Sequence, residues 1–204
     1  MGSEFHRIKR LPPYVFSEVN QLKLAARALG KDIIDFGMGN PDMPTPTHIL
    51  DKMQETLKNP KTHGYSASRG INGLRKAVAT FYARRFSVEI DPETETIVTL
   101  GSKEGLANLA SAITTPGDVI LVPNPSYPIH QFGFIIAGAS VRNVPVVPDK
   151  DYIGALESAV RHSIPKPIAL VLNYPNNPTT ITAPFEFYEE VVNFCKYHQI
   201  YILS

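Results

Sequence analysis

The chain has 204 residues, a formal net charge of +1, one cysteine and no tryptophan. That length can bury a real core as one large domain or one and a half. The balanced charge, without a run of one sign, argues against nucleic acid and membrane surfaces as partners, and no apolar stretch approaches the ~20 residues that span a bilayer.

The opening MGSEFHRIKR is basic but leads into no apolar segment, so it is not a secretory signal. Cys195 shares an apolar helical face with Val191, Val192 and Phe194, reads as a core thiol, and leaves no internal disulfide. A soluble, cytoplasmic protein is the expectation. In chain order, residues 5–16 include RLPPYVF, an extended arm stiffened by two prolines. Val19, Leu22, Ala26 and Leu29 predict a helix over 17–29 that Gly30 stops. Asp32 to Phe36 predicts a short strand, and GMGNPD at 37–42 a turn whose glycines expose backbone amides. A second helix is predicted from Pro46 to Leu57, then a polar loop, THGYSASRG, at 62–70. Ile71 to Phe86 predicts an amphipathic helix with Leu74, Val78, Phe81 and Tyr82 on one face.

After the DPETE turn at 91–95 the pattern becomes regular. Strands at Thr96–Leu100, Val119–Val122, 140–144, Ile168–Leu172 and Ile200–Leu203 alternate with helices from about Lys103 and at 129–137, 151–162 and 184–198. A proline-bounded loop separates the strand at 140–144 from the helix that follows. Alternation with short connections indicates an α/β domain with a largely parallel sheet. The apolar, strand-like end at Tyr201-Ile202-Leu203-Ser204 leaves that sheet unfinished, which predicts a truncated chain.

The stretch TIVTLGSKEGLANL at 96–109 reads as strand, abrupt turn and helix. Gly101 lets a ligand approach the backbone, Ser102 suits an N-cap, and Lys103 adds charge to the positive end of the helix dipole. Such a start seats an anion, most often phosphate, or is simply a capped helix with no ligand. In open α/β sheets ligands bind beyond the carboxyl ends of the strands. Three loops leave strand ends here: GSKEG at 101–105, PNPSYP at 123–128 and NYPNNPT at 173–179. Tyr127 is placed to stack on a flat ring, or is a structural tyrosine. Asn177, fixed by Pro178, is placed to hydrogen-bond a ring hydroxyl or a carboxylate, or merely makes a turn. A flat ring with a phosphate at one end suggests pyridoxal phosphate. A nucleotide fits these bare features too, although the fuller glycine fingerprint of nucleotide loops is missing.

GMGNPD, HGYSASRG, VTLGSKEGL, VPNPSYP and NYPNNPT, in this order and spacing, resemble the N-terminal half of a fold-type I, class I/II aminotransferase. RLPPYVF with DIIDFGMGNPD, THGYSASRG and LVPNPSYPIH is most similar to the bacterial alanine (glutamate–pyruvate) branch. The resemblance implies an incomplete three-layer α/β/α sandwich. Residues 1–45 would be an arm and part of a small domain, and 46–204 the start of the large cofactor-binding domain.

It implies pyridoxal 5′-phosphate as cofactor, an amino acid and a 2-oxo acid as substrates, a role in amino-acid biosynthesis, and a homodimer. Gly101, Ser102 and Lys103 would hold the cofactor phosphate and Tyr127 would stack on the pyridine ring. Asn177 would bond the 3-hydroxyl oxygen and help place the substrate carboxylate, to which Gly39 would offer its amide. Tyr65 would reach the partner's cofactor phosphate, and the bonds Asn124-Pro125 and Asn177-Pro178 would be cis. The family's Schiff-base lysine and its aspartate against the ring nitrogen would lie beyond Ser204, so no catalytic residue is present and the chain alone would be inactive. Sister branches (aspartate, aromatic or diaminopimelate aminotransferases, or C–S lyases) share these motifs. A non-catalytic fragment that dimerises or docks the cofactor is the reading from outside the enzyme class.

Overall fold

The computed structural model describes residues 5–37, 39, 41–146 and 151–204. They form two compact units: one of the described residues up to Leu11 together with Thr99–Ser204, the other Pro12–Val98. Among the described residues no helix is long and apolar enough to cross a membrane.

The arm is less extended than its prolines suggest, because residues before it close a short helix α1 (His6–Lys9) and α2 begins at Val15, running to Ala28. Gly30 stops α2 as expected. Its φ of +71° turns the chain so that Gly30 N–H bonds Arg27 O (2.9 Å) and Lys31 N–H bonds Ala26 O (3.1 Å), satisfying the last carbonyls. Helices α3 (Thr47–Leu57) and α4 (Asn72–Phe86) follow the predicted spans.

Two predicted strands, Asp32 to Phe36 and Thr96 to Leu100, are absent. β-branched composition supplies propensity, but a strand exists only through a ladder to a neighbour. In the second case the Val98 N–H meets a single loop carbonyl, Arg69 O at 3.2 Å, instead. That approach requires Gly70, whose φ is +86° and whose added Cβ would lie 2.3 Å from a Val98 methyl. The predicted apolar face of α4 is likewise not buried: Leu74, Phe81 and Tyr82 remain exposed, and the rings of Phe81, Tyr82 and Phe86 pack on one another. α4 is anchored by a charge. Arg75, 8% exposed, donates to Gly70 O, Pro92 O and Glu93 Oε2, the last at 3.0 Å.

The first unit holds, besides α1, α5 (Ser102–Ile113), β1 (Val119–Asn124), α6 (Pro128–Ala137), β2 (Ser140–Pro145), α7 (Tyr152–Arg161), β3 (Pro167–Val171), α8 (Phe185–His198) and β4 (Tyr201–Leu203). The predicted loop between β2 and α7 includes residues 147–150, which lie outside the described residues. All four strands are parallel, in the order β2-β1-β3-β4, with Ile120 opposite both Val141 and Ala169.

Strand periodicity sorts the side chains into two layers. Ile120, Val122, Ala169 and Val171 pack with Ala110 of α5 and Phe134 of α6. Leu121, Leu170 and Leu172 pack on the opposite face with Leu156 of α7 and Val191, Phe194 and Cys195 of α8. Helices thus cover both faces of the sheet, giving the expected three-layer α/β/α arrangement. Burial pushes the Cys195 thiol up to about 11, as befits a core residue.

A cleft at the switch point of the parallel sheet

The strand order decides where a ligand fits. From β1 the chain moves through α6 to β2 on one side, then returns past β1 to β3 and β4 on the other. β1 and β3 are neighbours, yet the helices that follow them pack on opposite faces of the sheet. The loops beyond their carboxyl ends therefore diverge and leave a crevice. A cleft of about 490 Å³ lies there, lined by Ser102 and Leu106 of α5, Tyr127 and His130 beyond β1, Asn173 beyond β3, and Ser204 beyond β4. Its volume falls in the usual ~300–1,000 Å³ range of small-molecule sites.

α5 points its N-terminus into this cleft, but Ser102 is not its cap as expected. Gly101 takes the cap position, with φ +88° and ψ 163°, a region that only glycine occupies readily, and Ser102 becomes the first helical residue. The Glu104 carboxylate accepts from the Leu100 N–H, one residue before the cap, and among the described residues no side chain caps the first turn. Ser102, as the first helical residue, lines the cleft. Lys103 brings its ammonium over the Tyr127 ring, 5.2 Å from the centroid.

Tyr127 precedes α6, and its ring meets His130 edge-on at 6.1 Å. His130 lines the same cleft, its Nδ1 is buried without a hydrogen-bond partner among the described residues, and burial holds its pKa below 6.5. The sequence offered a signal for it, a histidine three residues after the stacking tyrosine in PSYPIH, which the reading above left unassigned.

The third loop divides its asparagines. Asn173 lines the cleft, Asn177 is exposed, and Asn176 is 2% exposed. The Asn176 carbonyl oxygen accepts from the Thr179 hydroxyl (2.8 Å) and N–H (3.3 Å), while its amide faces Pro125 O at 3.5 Å. Sequence reasoning named Asn177 and missed Asn176, because adjacent asparagines look alike until burial separates them. The bonds Asn124-Pro125 and Asn177-Pro178 are both cis, as expected, and Ile164-Pro165 and Tyr174-Pro175 are cis as well.

Ser102, Lys103, Tyr127 and the 173–179 loop therefore share one end of the sheet, with Gly101 at the helix start. Gly39 and Tyr65 belong to the other unit. Gly39 is exposed, and an added Cβ there would meet nothing within 4 Å; of the GMGNPD turn that carries it, Met38 and Asn40 lie outside the described residues. Tyr65 is 108% exposed, as free of its own chain as a tyrosine can be.

Comparison with known proteins gives the same picture. AatC of Rhizobium meliloti is 60% identical over 201 residues, covering 98% of this chain and 50% of that protein. The glutamate-pyruvate aminotransferase AlaC of Escherichia coli is 54% identical over 199 residues, covering 98% of this chain and 48% of its own length. The chain thus spans about half the length of the curated relatives it matches. Among solved structures, aspartate aminotransferase from Thermus thermophilus with maleate superposes with a TM-score of 0.86 at 33% identity, covering 99% of this chain and 52% of that one. The family model for aminotransferase class I and II matches residues 31–204, far more than half of the chain. On this match, and with a cleft where such a sheet places its ligand, the chain belongs to the aminotransferase class I and II family.

Proposed function

We propose that the whole protein transfers an amino group between alanine and 2-oxoglutarate with pyridoxal 5′-phosphate, and that these 204 residues supply binding and orientation. The observation that supports this reading is the cleft at the switch point. It combines a helix N-terminus, an aromatic ring and an imidazole nitrogen buried without a partner among the described residues, in a space of about 490 Å³. An anionic, flat, heteroaromatic group fits such a set. The likeness to the glutamate-pyruvate aminotransferase AlaC supports the choice of substrates.

When bound, pyridoxal phosphate supplies an electron sink for the substrate carbon. The residues of this chain do the holding. The first-turn amides of α5 at Ser102 and Lys103, the Ser102 hydroxyl and the open backbone at Gly101 bind the dianionic phosphate, helped by the helix dipole. Tyr127 stacks on the ring and excludes water from one of its faces. Asn177 donates to the ring hydroxyl oxygen and, with the Gly39 amide, orients the substrate carboxylate. Tyr65 binds the cofactor phosphate of a second copy in a homodimer. The base that moves the substrate proton and the carboxylate that keeps the ring nitrogen protonated are assigned to the half of the protein outside these residues. Residues 1–45 act as arm and part of a small domain, 46–204 as the start of the large one, in a cytoplasmic enzyme of amino-acid biosynthesis.

The test is a donor panel on the whole protein with added cofactor, run beside the 204-residue chain alone. Alanine with 2-oxoglutarate should give the highest kcat/KM for the whole protein, and the chain alone no more turnover than free cofactor. A preference for aspartate, an aromatic amino acid or diaminopimelate would move the assignment to a sister branch. Turnover by the chain alone, lost on mutating one of its own lysines, would refute the division of labour.

A further inference from the structure

Two loops address the cleft from strands that are neighbours in the sheet but distant in sequence. Residues 123–128 carry Tyr127, and residues 173–179 carry Asn173 and Asn177. Each loop is also bonded to residues just after it: Gln131 Nε2 of α6 donates to Ser126 Oγ at 3.2 Å, and Thr180 N–H to Asn176 O at 2.7 Å. One side chain spans the gap. Asn176, 2% exposed, uses its carbonyl oxygen within its own loop and turns its amide across 51 residues of sequence toward Pro125 O, at 3.5 Å.

We infer that Asn176 is a positioning residue for the cofactor site, a clamp that fixes the distance between the Tyr127 loop and the Asn177 loop. The proposal rests on the cofactor reading above, and it assigns to the buried neighbour of Asn177, the asparagine proposed to bind the ligand, a role of its own. Its two ends do separate work. The acceptor end shapes the 173–179 loop through Thr179, and the donor end ties that loop to 123–128. The approach at 3.5 Å is long for a neutral hydrogen bond, so the tie between the loops is a weak one. Lacking side-chain partners elsewhere among the described residues, the amide has only this carbonyl to satisfy it, and a buried amide left without a partner is unfavourable.

Asn176→Asp separates the two ends. It keeps an acceptor for Thr179 and replaces the donor by an oxygen that repels the Pro125 carbonyl. Thr179→Val does the reverse, weakening the acceptor side and leaving the donor in place. In the full-length protein, hydrogen–deuterium exchange of peptides covering 123–128 should speed up in Asn176→Asp and stay unchanged in Thr179→Val. Cofactor affinity, read by tyrosine quenching, should fall about three- to tenfold in Asn176→Asp, the size of one lost hydrogen bond. Affinity for inorganic phosphate, which reports only the α5 end of the cleft, should stay the same. Asn176→Gln, which retains both groups on a longer stem, should recover part of the loss. If Asn176→Asp exchanges like the parent at 123–128, the clamp does not exist. Faster exchange without any loss of affinity would keep the tie between loops but refute its role in the site. Failure of the parent itself to bind the cofactor would instead strike the functional reading, leaving the exchange result to judge the clamp.

Discussion

Replacing Gly101 by alanine tests the anion seat through the backbone alone. At φ +88° and ψ 163° the residue occupies a region that costs a β-carbon about 1–3 kcal/mol. No heavy atom lies within 4 Å of the position an added Cβ would take, so collision with neighbours contributes nothing and the whole effect is conformational. The strain has two outlets. If residue 101 keeps its geometry, the fold loses that stability, and the thermal midpoint drops by about 2–4 °C per kcal/mol in a chain of this size. If it relaxes, the first turn of α5 rotates and phosphate affinity falls, by up to about 150-fold should the full 3 kcal/mol appear there. The sum of the two should come to about 1–3 kcal/mol.

The assay is a titration of the full-length protein with inorganic phosphate and with pyridoxal phosphate, beside its melting curve. Gly117→Ala is the control: its φ is +99° and its Cβ position is equally open, but it lies before β1, at the other end of the sheet from the cleft. That variant should lose stability and keep its phosphate affinity. A Gly101→Ala protein with unchanged midpoint and unchanged affinity would refute both the strained cap and the seat built on it.

Arg75→Ala should destabilise the fold by about 1–3 kcal/mol, since it leaves the Gly70 and Pro92 carbonyls without their buried donor, whereas Glu93→Gln, at an exposed partner, should cost well under 1 kcal/mol; urea unfolding of both variants measures this. His130, held below 6.5 by burial, binds its proton less readily when folded than when unfolded. Its contribution is therefore complete above 6.5 and shrinks as pH falls from there toward the folded pKa, so melting temperature should decline over that window and decline less in His130→Gln.

Much of this was legible locally. The period of apolar residues marked α2 through α8, four of the strands and the loops beyond them, because amphipathic spacing is a property of consecutive residues. The same locality set limits. Thr96 to Leu100 has the composition of a strand, but pairing is a property of two segments, and Val98 found a loop carbonyl instead. Ser102 has the chemistry of a cap, but the helix takes Gly101 as its cap and Ser102 as its first helical residue.

The sequence by itself therefore determined the family, through five ordered motifs, and the alternation that forces a parallel α/β sheet. Only the tertiary structure decided which groups meet. It put α6 and α8 on opposite faces of the sheet, opening the crevice between β1 and β3, and it buried Asn176 while leaving Asn177 exposed. It also buried the His130 Nδ1 without a partner among the described residues. Burial and hydrogen-bond partnership depend on residues dozens of positions away, so two asparagines side by side in the chain receive opposite fates from the fold.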